Sequence, residues 1–94
     1  MVEAQDLYCA EPGNPGEECG ALGLQPEGKD DGLTGTSFTA TQDAYVVLVK
    51  SGSDGCEPGL SAYRIYVNVS AGDTLLTPVG QDISHVTYCA CPTQ

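Results

Sequence analysis

The chain has 94 residues, 13 acidic against three basic side chains, and a formal net charge of −10. A chain of this length forms one domain whose hydrophobic core leaves a small stability margin, so an additional staple is expected. The charge argues against nucleic acid and anionic membranes as partners, because phosphate binding needs clustered cations whereas Lys29, Lys50 and Arg64 are scattered.

The first third of the chain differs in composition from the rest. Residues 1–35 are rich in glycine, proline and acidic side chains and show hardly any apolar periodicity, which predicts a loop or arm. From residue 36 onward β-branched and aromatic residues dominate, and no window has the i, i+3, i+4, i+7 spacing of an amphipathic helix. We therefore expect a single all-β domain with an N-terminal arm (1–35) and a sandwich core (36–94).

Three strands are predicted in the first part of this core. Residues 36–42 alternate between apolar and hydroxyl-bearing side chains, as a half-buried strand does. Ala44–Lys50 contains a continuous apolar run, which predicts a strand buried on both faces. Residues 61–70 alternate regularly, so one face of this strand is expected in the core. That face carries Tyr63, Ile65, Val67 and Val69, and the opposite face carries Arg64, Tyr66, Asn68 and Ser70.

Two further strands complete the predicted core. Residues 74–79 predict a short strand limited by Pro78, which cannot donate a hydrogen bond to a neighbouring strand. Residues 82–91 predict a last strand, with Ile83, His85, Thr87, Cys89 and Cys91 on one face and Ser84, Val86, Tyr88 and Ala90 on the other. Strands at this spacing predict a small antiparallel β-sandwich or partly open barrel of about five to seven strands, with a loop-rich, disulfide-tied N-terminal segment.

Three stretches of the β-region, AYVVLVKSG, YRIYVNVSAGDTL and DISHVTYC, occur in an order that resembles a known pattern. They are similar to a β-domain of secreted and surface-anchored bacterial and archaeal proteins that reads VIVKGG and later SHISFC. The resemblance covers residues 44–89, roughly half of the chain. Cys91 and the segment with Cys9 and Cys19 depart from the pattern. The resemblance implies an extracellular β-module and assigns no catalytic residue.

His85 is the only histidine, and it directly follows Ser84. A Ser–His–acid triad needs the serine oxygen within hydrogen-bond reach of the imidazole. Neighbouring side chains of a strand point to opposite faces, so this pair cannot interact directly. We therefore expect no catalytic residues and no enzyme. Instead, His85 is expected to be half-buried and bonded to a backbone or threonine partner that orders the last strand.

Cys89 and Cys91 form a C-x-C pair in an extended segment rather than the C-x₂₋₄-C pair of zinc sites. Positions i and i+2 of a strand lie about 6.5–7 Å apart, which also disfavours a bond between them. No metal site is therefore expected at this pair. Each of the two cysteines is expected to reach a different partner.

The disulfide candidates are Cys9, Cys19, Cys56 and Cys89. A sequence alone does not determine connectivity. Cys9 and Cys19 bracket the loop-rich segment, so either they clip it together or each is tied separately to the β-domain. The pairing we expect first is Cys9–Cys19, with Cys56 bonded to Cys89 or Cys91. Cys91 is the expected odd cysteine, because it lies three residues from the end of the sequence and is absent from the resembled pattern.

The cysteine content also indicates the compartment. Five cysteines in a short chain without tryptophan are typical of secreted domains rather than cytosolic ones. No apolar run approaches the roughly 20 residues that cross a bilayer, and the first residues lack a signal-peptide pattern, so a mature form is expected. We expect a secreted, extracellular or cell-surface protein without membrane insertion.

An odd cysteine in a secreted protein suggests an intermolecular bond, with a free thiol buried under the N-terminal arm as the alternative. The expected function is a non-catalytic extracellular structural or cell-surface module. It would self-associate, or bind another extracellular protein, and assemble into a filament or surface layer through intersubunit contacts or Cys91.

The alternative function is an adhesion module that binds calcium or carbohydrate. Glu27, Asp30 and Asp31 place three carboxylates in a glycine-flanked loop, which suits calcium although the EF-hand order is missing. No other cofactor is expected. Tyr66 and Tyr88, if exposed, would offer a stacking surface for sugars.

Asn68, Val69 and Ser70 match the N-glycosylation acceptor pattern. Their position inside a predicted strand makes attachment awkward, so a cross-strand polar contact of Asn68 is expected instead.

Overall fold

A computed structural model describes residues 2–92, with side chains from Gln5 onward; Met1 and residues 93–94 of the predicted arm and core lie outside the described residues. Its strands form antiparallel sheets of five and two strands, which confirms the predicted all-β sandwich. The elements are β1 (Val2–Ala10), α1 (Pro15–Gly20), β2 (Gln25–Asp30), β3 (Ser37–Thr39), β4 (Ala44–Lys50), β5 (Ser61–Val69), β6 (Thr74–Leu76), a 3₁₀ turn (Pro78–Gly80) and β7 (His85–Ala90).

The central strand of the large sheet is β4, and the strand order is β1-β5-β4-β7-β2. As its continuous apolar run predicts, β4 is covered on both faces, and Val46 to Val49 are each at most 6% exposed. The small β3-β6 sheet lies on one face, and α1 lies on the other. Each face therefore has its own apolar core.

The first core lies between the two sheets and the second lies beneath α1. Val47 and Val49 of β4 point into the first core, where Phe38 and Leu75 of the small sheet pack against them. Val46 and Leu48 point into the second core, which Tyr63 and Cys19 share. The alternation of side chains along β4 thus joins two cores through one strand.

The N-terminal segment is not the loop that its composition predicts. Residues 2–35 supply both edge strands of the large sheet, with β1 paired to β5 and β2 paired to β7. They also supply α1, and neither α1 nor the 3₁₀ turn is long and apolar enough to cross a membrane. The composition of this segment does not predict these strands, because edge strands that bury few side chains need no apolar alternation. In β2, every residue is at least partly exposed.

Two strand faces also differ from expectation. Val69 was predicted to share a face with Tyr63 and Ile65, but it lies in the core between the sheets. The chain takes a left-handed conformation at Asn68, with φ of 58°, and this turns the end of β5 to the other face. Ile83 likewise lies in the core between the sheets, because β7 begins only at His85 and the alternation does not extend before it.

Leu75 and Leu76 provide a matched test of the packing between the sheets. Leu75 is fully buried opposite Phe38, whereas its neighbour Leu76 is 46% exposed. We expect Leu75→Ala to lower the free energy of unfolding by about 2–5 kcal/mol, because it leaves a cavity in the core. Leu76→Ala should change it by less than about 0.5 kcal/mol. Urea unfolding measures both, and equal losses would contradict the placement of β6.

Candidate functional site

The helix α1 begins where a local sequence signal places it. The Asn14 side chain accepts a hydrogen bond from the Glu17 backbone N–H at 2.9 Å, and the Glu17 carboxylate accepts one from the Asn14 N–H at 3.2 Å. This capping box satisfies two N–H groups at the helix start, and Pro15 occupies the position where no N–H is needed. The helix presents its next two residues, Glu18 and Cys19, to the large sheet, and both are buried.

The Glu18 carboxylate is the centre of a buried polar cluster, which we call the Glu18 cluster. Its oxygens lie 3.0 and 3.1 Å from His85 Nε2, and they accept hydrogen bonds of 2.6 Å from the Thr87 and Tyr63 hydroxyls. Only 1% of the Glu18 side-chain surface is exposed. No buried side-chain polar atom among the described residues lacks a hydrogen-bond partner.

The register of the sheet brings the three donors of the Glu18 cluster together. Lys50 of β4 lies opposite both Tyr63 of β5 and His85 of β7, so these residues form one row across the sheet. Thr87 follows two positions after His85 and therefore shares its face. Three donors that lie 45, 67 and 69 positions after Glu18 in the chain thus converge beneath one short helix.

The electrostatics of the cluster favour an ionised Glu18. Burial alone would raise the pKa of the Glu18 carboxyl, but hydrogen bonds from His85, Thr87 and Tyr63, together with the charge of a protonated His85, lower it. Because an ionised carboxylate only accepts hydrogen bonds, His85 Nε2 carries the proton that it donates. Burial, the hydrogen bond to Glu18 and the charge of Glu18 all raise the pKa of Tyr63, which stays a neutral donor.

The next residue of α1 forms a covalent link to the same strand. Cys19 is bonded to Cys89, and the second disulfide joins Cys9 of β1 to Cys56. The expected Cys9–Cys19 clip and the expected bond from Cys56 to Cys89 or Cys91 are therefore both wrong, and each end of the N-terminal segment is tied separately to the β-domain. Cys19 and Cys89 are both completely buried.

His85 lies where its alternation predicts, but its partner is different. It is 8% exposed and faces α1, whereas Ser84 is exposed, so the two side chains are separated as expected. Its partner is Glu18, not a backbone group or threonine. The sequence stretch Asn14-Pro15-Gly16-Glu17 carries the signal that would have found this partner, because it matches a capped helix start.

Cys91 is free and exposed, one residue after the end of β7. The other four cysteines are the predicted disulfide candidates, and all of them are paired. The alternative of a thiol buried under the N-terminal segment is wrong. Cys91 is therefore accessible to another molecule.

The three carboxylates of the predicted calcium site are turned to different partners. Glu27 accepts a hydrogen bond from Gln42, and Asp31 lies 3.4 Å from the Lys29 ammonium. Asp30 accepts hydrogen bonds of 2.7 Å from the Thr41 and Tyr88 hydroxyls. Within the part of the chain that the structure describes, no three His, Cys, Asp or Glu side chains are grouped to hold a metal. Glu27 and Asp30 lie in β2 rather than in the expected loop, so calcium binding there would require these side chains to leave their present partners, and it stays a prediction.

The sugar-stacking surface predicted for Tyr66 and Tyr88 is wrong. Tyr66 is 2% exposed and Tyr88 is completely buried, since both point into the core between the sheets. The Tyr66 hydroxyl accepts a hydrogen bond of 2.9 Å from the Leu76 N–H, and the Tyr88 hydroxyl lies against Asp30 and Thr41. Both rings therefore pack the sandwich, and the exposed tyrosine ring is that of Tyr45.

The space beside the Glu18 cluster is small. A cavity of about 30 Å³ lies between α1, β1 and the sheet, and its lining includes Tyr8, Glu18, Leu48 and Tyr63. A volume of this size holds about one or two water molecules. The carboxylate has all its hydrogen bonds made inside the protein, so the arrangement acts as a polar link between helix and sheet.

Comparison with protein families, with curated proteins and with solved structures yields no match for this chain. The functional proposals below therefore rest on the residues and geometry of the chain itself.

The charge of Glu18 should be visible in the pH dependence of stability. We expect Glu18→Gln to lower the free energy of unfolding at pH 7 by about 2 kcal/mol, because hydrogen bonds to a charged acceptor are weakened. The lowered pKa means that the unfolded chain binds the proton first as the pH falls below the ordinary value of 4.5. The free energy of unfolding of the wild type should therefore fall below this pH. The difference in free energy of unfolding between wild type and Glu18→Gln should become smaller.

The matched control is Glu17→Gln, which changes the neighbouring exposed carboxylate and keeps an oxygen for the capping box. Chemical unfolding from pH 7 to pH 3 compares the three proteins. A constant difference between wild type and Glu18→Gln throughout this range would contradict an ionised, stabilising Glu18.

Proposed function

We propose that this chain is a non-catalytic extracellular module with a structural role at a cell surface, and that it pairs with another chain through Cys91. The observation that carries the proposal is the covalent closure of the fold. Two disulfides, with sequence separations of 47 and 70 residues, tie the N-terminal elements to the rest of the domain.

Such closure supports an oxidising environment. Disulfides persist outside the cytosol and are rare within it. By restricting the unfolded chain, each one contributes about 2–5 kcal/mol, which is comparable with the whole net stability of a small domain. A domain cross-linked in this way therefore stays folded under conditions in which a small core without disulfides would unfold.

The use of the reactive side chains supports a non-catalytic role. His85 is the only histidine, and its Nε2 is engaged by the buried Glu18 carboxylate. A general base must reach the substrate proton within hydrogen-bond distance. Here the acid and the imidazole face each other beneath α1 and hold the helix on the sheet.

The exposed Cys91 thiol supports pairing between chains. One free thiol per chain can join two chains and no more, so covalent assembly stops at a dimer. A filament or layer needs a further, non-covalent contact.

The outer strands of the large sheet have features that oppose pairing with an edge strand of another chain. The register of β1 has two irregularities, and β2 contains Pro26 and charged side chains.

The first test compares pairs of cysteine variants. Replacing both Cys19 and Cys89 by serine, or both Cys9 and Cys56, should lower the free energy of unfolding by about 2–5 kcal/mol or abolish folding. Cys91→Ser is the matched control and should leave stability unchanged. If both double variants are as stable as wild type, the fold does not depend on an oxidising compartment, and the proposed location loses its support.

The second test measures pairing directly. Oxidised wild-type protein should give a dimer on a non-reducing gel that reductant returns to monomer, and Cys91→Ser should give monomer alone. Since each chain has a net charge of −10, dimer formation should accelerate with salt, which screens the repulsion. A wild-type protein that stays monomeric at high concentration, high salt and mild oxidant would contradict pairing through Cys91.

A further inference from the structure

An asparagine side chain near the end of β5, that of Asn68, lies outside both cores. Asn68 is exposed, although the strand around it is mostly buried, and its neighbour Val69 is only 3% exposed. Among the described residues no hydrogen bond involves the Asn68 side chain, so the expected cross-strand polar contact is absent. Within this part of the chain, its amide is therefore exposed and has no hydrogen-bond partner.

The backbone explains why Asn68 projects from the sheet. Asn68 directly follows Val67, which forms the last described pair between β1 and β5 with Val2. Its φ of 58° is a left-handed conformation that asparagine adopts more readily than most residues. The strand thus breaks its alternation at Asn68, which is the residue before the last of β5 and does not lie in the middle of the strand.

The hydroxyl residue of the acceptor pattern is accessible as well. Ser70 is exposed and begins the turn after β5. The turn is held by hydrogen bonds from the Ser70 N–H to Asp73 at 2.9 Å and from the Ala71 N–H to Asp43 at 2.8 Å. Both residues that define the Asn-x-Ser pattern are therefore outside the core, while Val69 between them anchors the segment.

The surface next to Asn68 has room and an aromatic ring. A shallow open depression is lined by Asp43, Ala44, Tyr45, Asn68, Val69 and Ser70. Tyr45 is 44% exposed and shares this lining with Asn68, and its neighbours Ala44 and Val46 pair with Val69 and Val67 on either side of Asn68. The apolar C–H face of a sugar attached to Asn68 can cover this ring, and removing apolar surface from water is favourable.

From this geometry we propose that Asn68 is an attachment site for an N-linked glycan. The co-reactant is a glycan joined through its anomeric carbon to a lipid diphosphate. The Asn68 Nδ2 attacks that carbon, a C–N bond forms, the C–O bond to the diphosphate breaks, and a base on the transferase takes the amide proton. The lipid diphosphate is the leaving group, and no oxidation or reduction occurs.

The proposal rests on the extracellular location proposed above, because glycan transfer occurs on exported chains. Its test supplies the export route, so that the two proposals fail separately. The full chain, placed behind a cleavable signal peptide, is secreted from yeast together with a control glycoprotein. Intact mass and digestion with a peptide amidase that releases N-glycans are measured on the secreted material.

Wild type should carry glycan mass that the amidase removes, leaving aspartate at position 68. Asn68→Gly tolerates the left-handed backbone and should abolish the glycan completely. Ser70→Ala should abolish it as well, whereas Ser70→Thr, which keeps the hydroxyl, should retain it. If Asn68 serves only to adopt its backbone conformation, no variant will differ from an unmodified wild type, and this result overturns the proposal.

A second measurement does not depend on secretion. Purified, disulfide-bonded chain is incubated with a membrane oligosaccharyltransferase and a lipid-linked glycan, and the same variants are compared by mass. Modification of folded wild type and of Ser70→Thr, but not of Asn68→Gly, is the expected result. An unmodified wild-type chain in both experiments, beside a modified control substrate, would show that the site does not accept a glycan.

Discussion

The structure depends on how α1 is held against β7. A helix of six residues is too short to be stable alone, and it has two consecutive residues with which to dock. Glu18 meets three donors on the sheet, and Cys19 is bonded to Cys89. A buried carboxylate is costly unless it is paired and hydrogen-bonded, so the Glu18 cluster tolerates few other positions of the helix. Because α1 is held in this position, the segment that follows it lies beside β7, and β2 pairs with β7.

The same strand connects the two cores of the molecule. On one face of β7, His85, Thr87 and Cys89 all bond to α1, and on the other Val86 and Tyr88 pack between the sheets. Leaving one member of such a buried polar cluster without its partner is costly, so the Glu18 cluster specifies one docking position of the helix. The disulfide beside it supplies the stability that a small core lacks.

Groups available to other molecules lie at strand ends, away from both cores. Cys91 follows the last residue of β7, and Asn68 lies one residue before the end of β5. The interior is closed by disulfides and by satisfied hydrogen bonds, so a change at either surface position leaves the packing intact. This separation suits the proposed structural role, in which a rigid domain is joined to a neighbour and modified on its surface.

Much of the core follows from the sequence because it depends on local alternation. Alternation predicted the β-class and the separation of Ser84 from His85, and the continuous apolar run of β4 predicted its burial on both faces. The odd cysteine at position 91 was expected from its place near the end of the sequence and outside the resembled pattern. The site was only half predictable: His85 was identified, whereas Glu18 was missed although Asn14 and Glu17 mark a helix start. The edge strands, the disulfide pairing and the turn of the chain at Asn68 were decided by tertiary structure. The disulfides join cysteines that are 47 and 70 residues apart in the sequence. Which such distant segments lie side by side in the fold cannot be inferred from residue spacing along the chain.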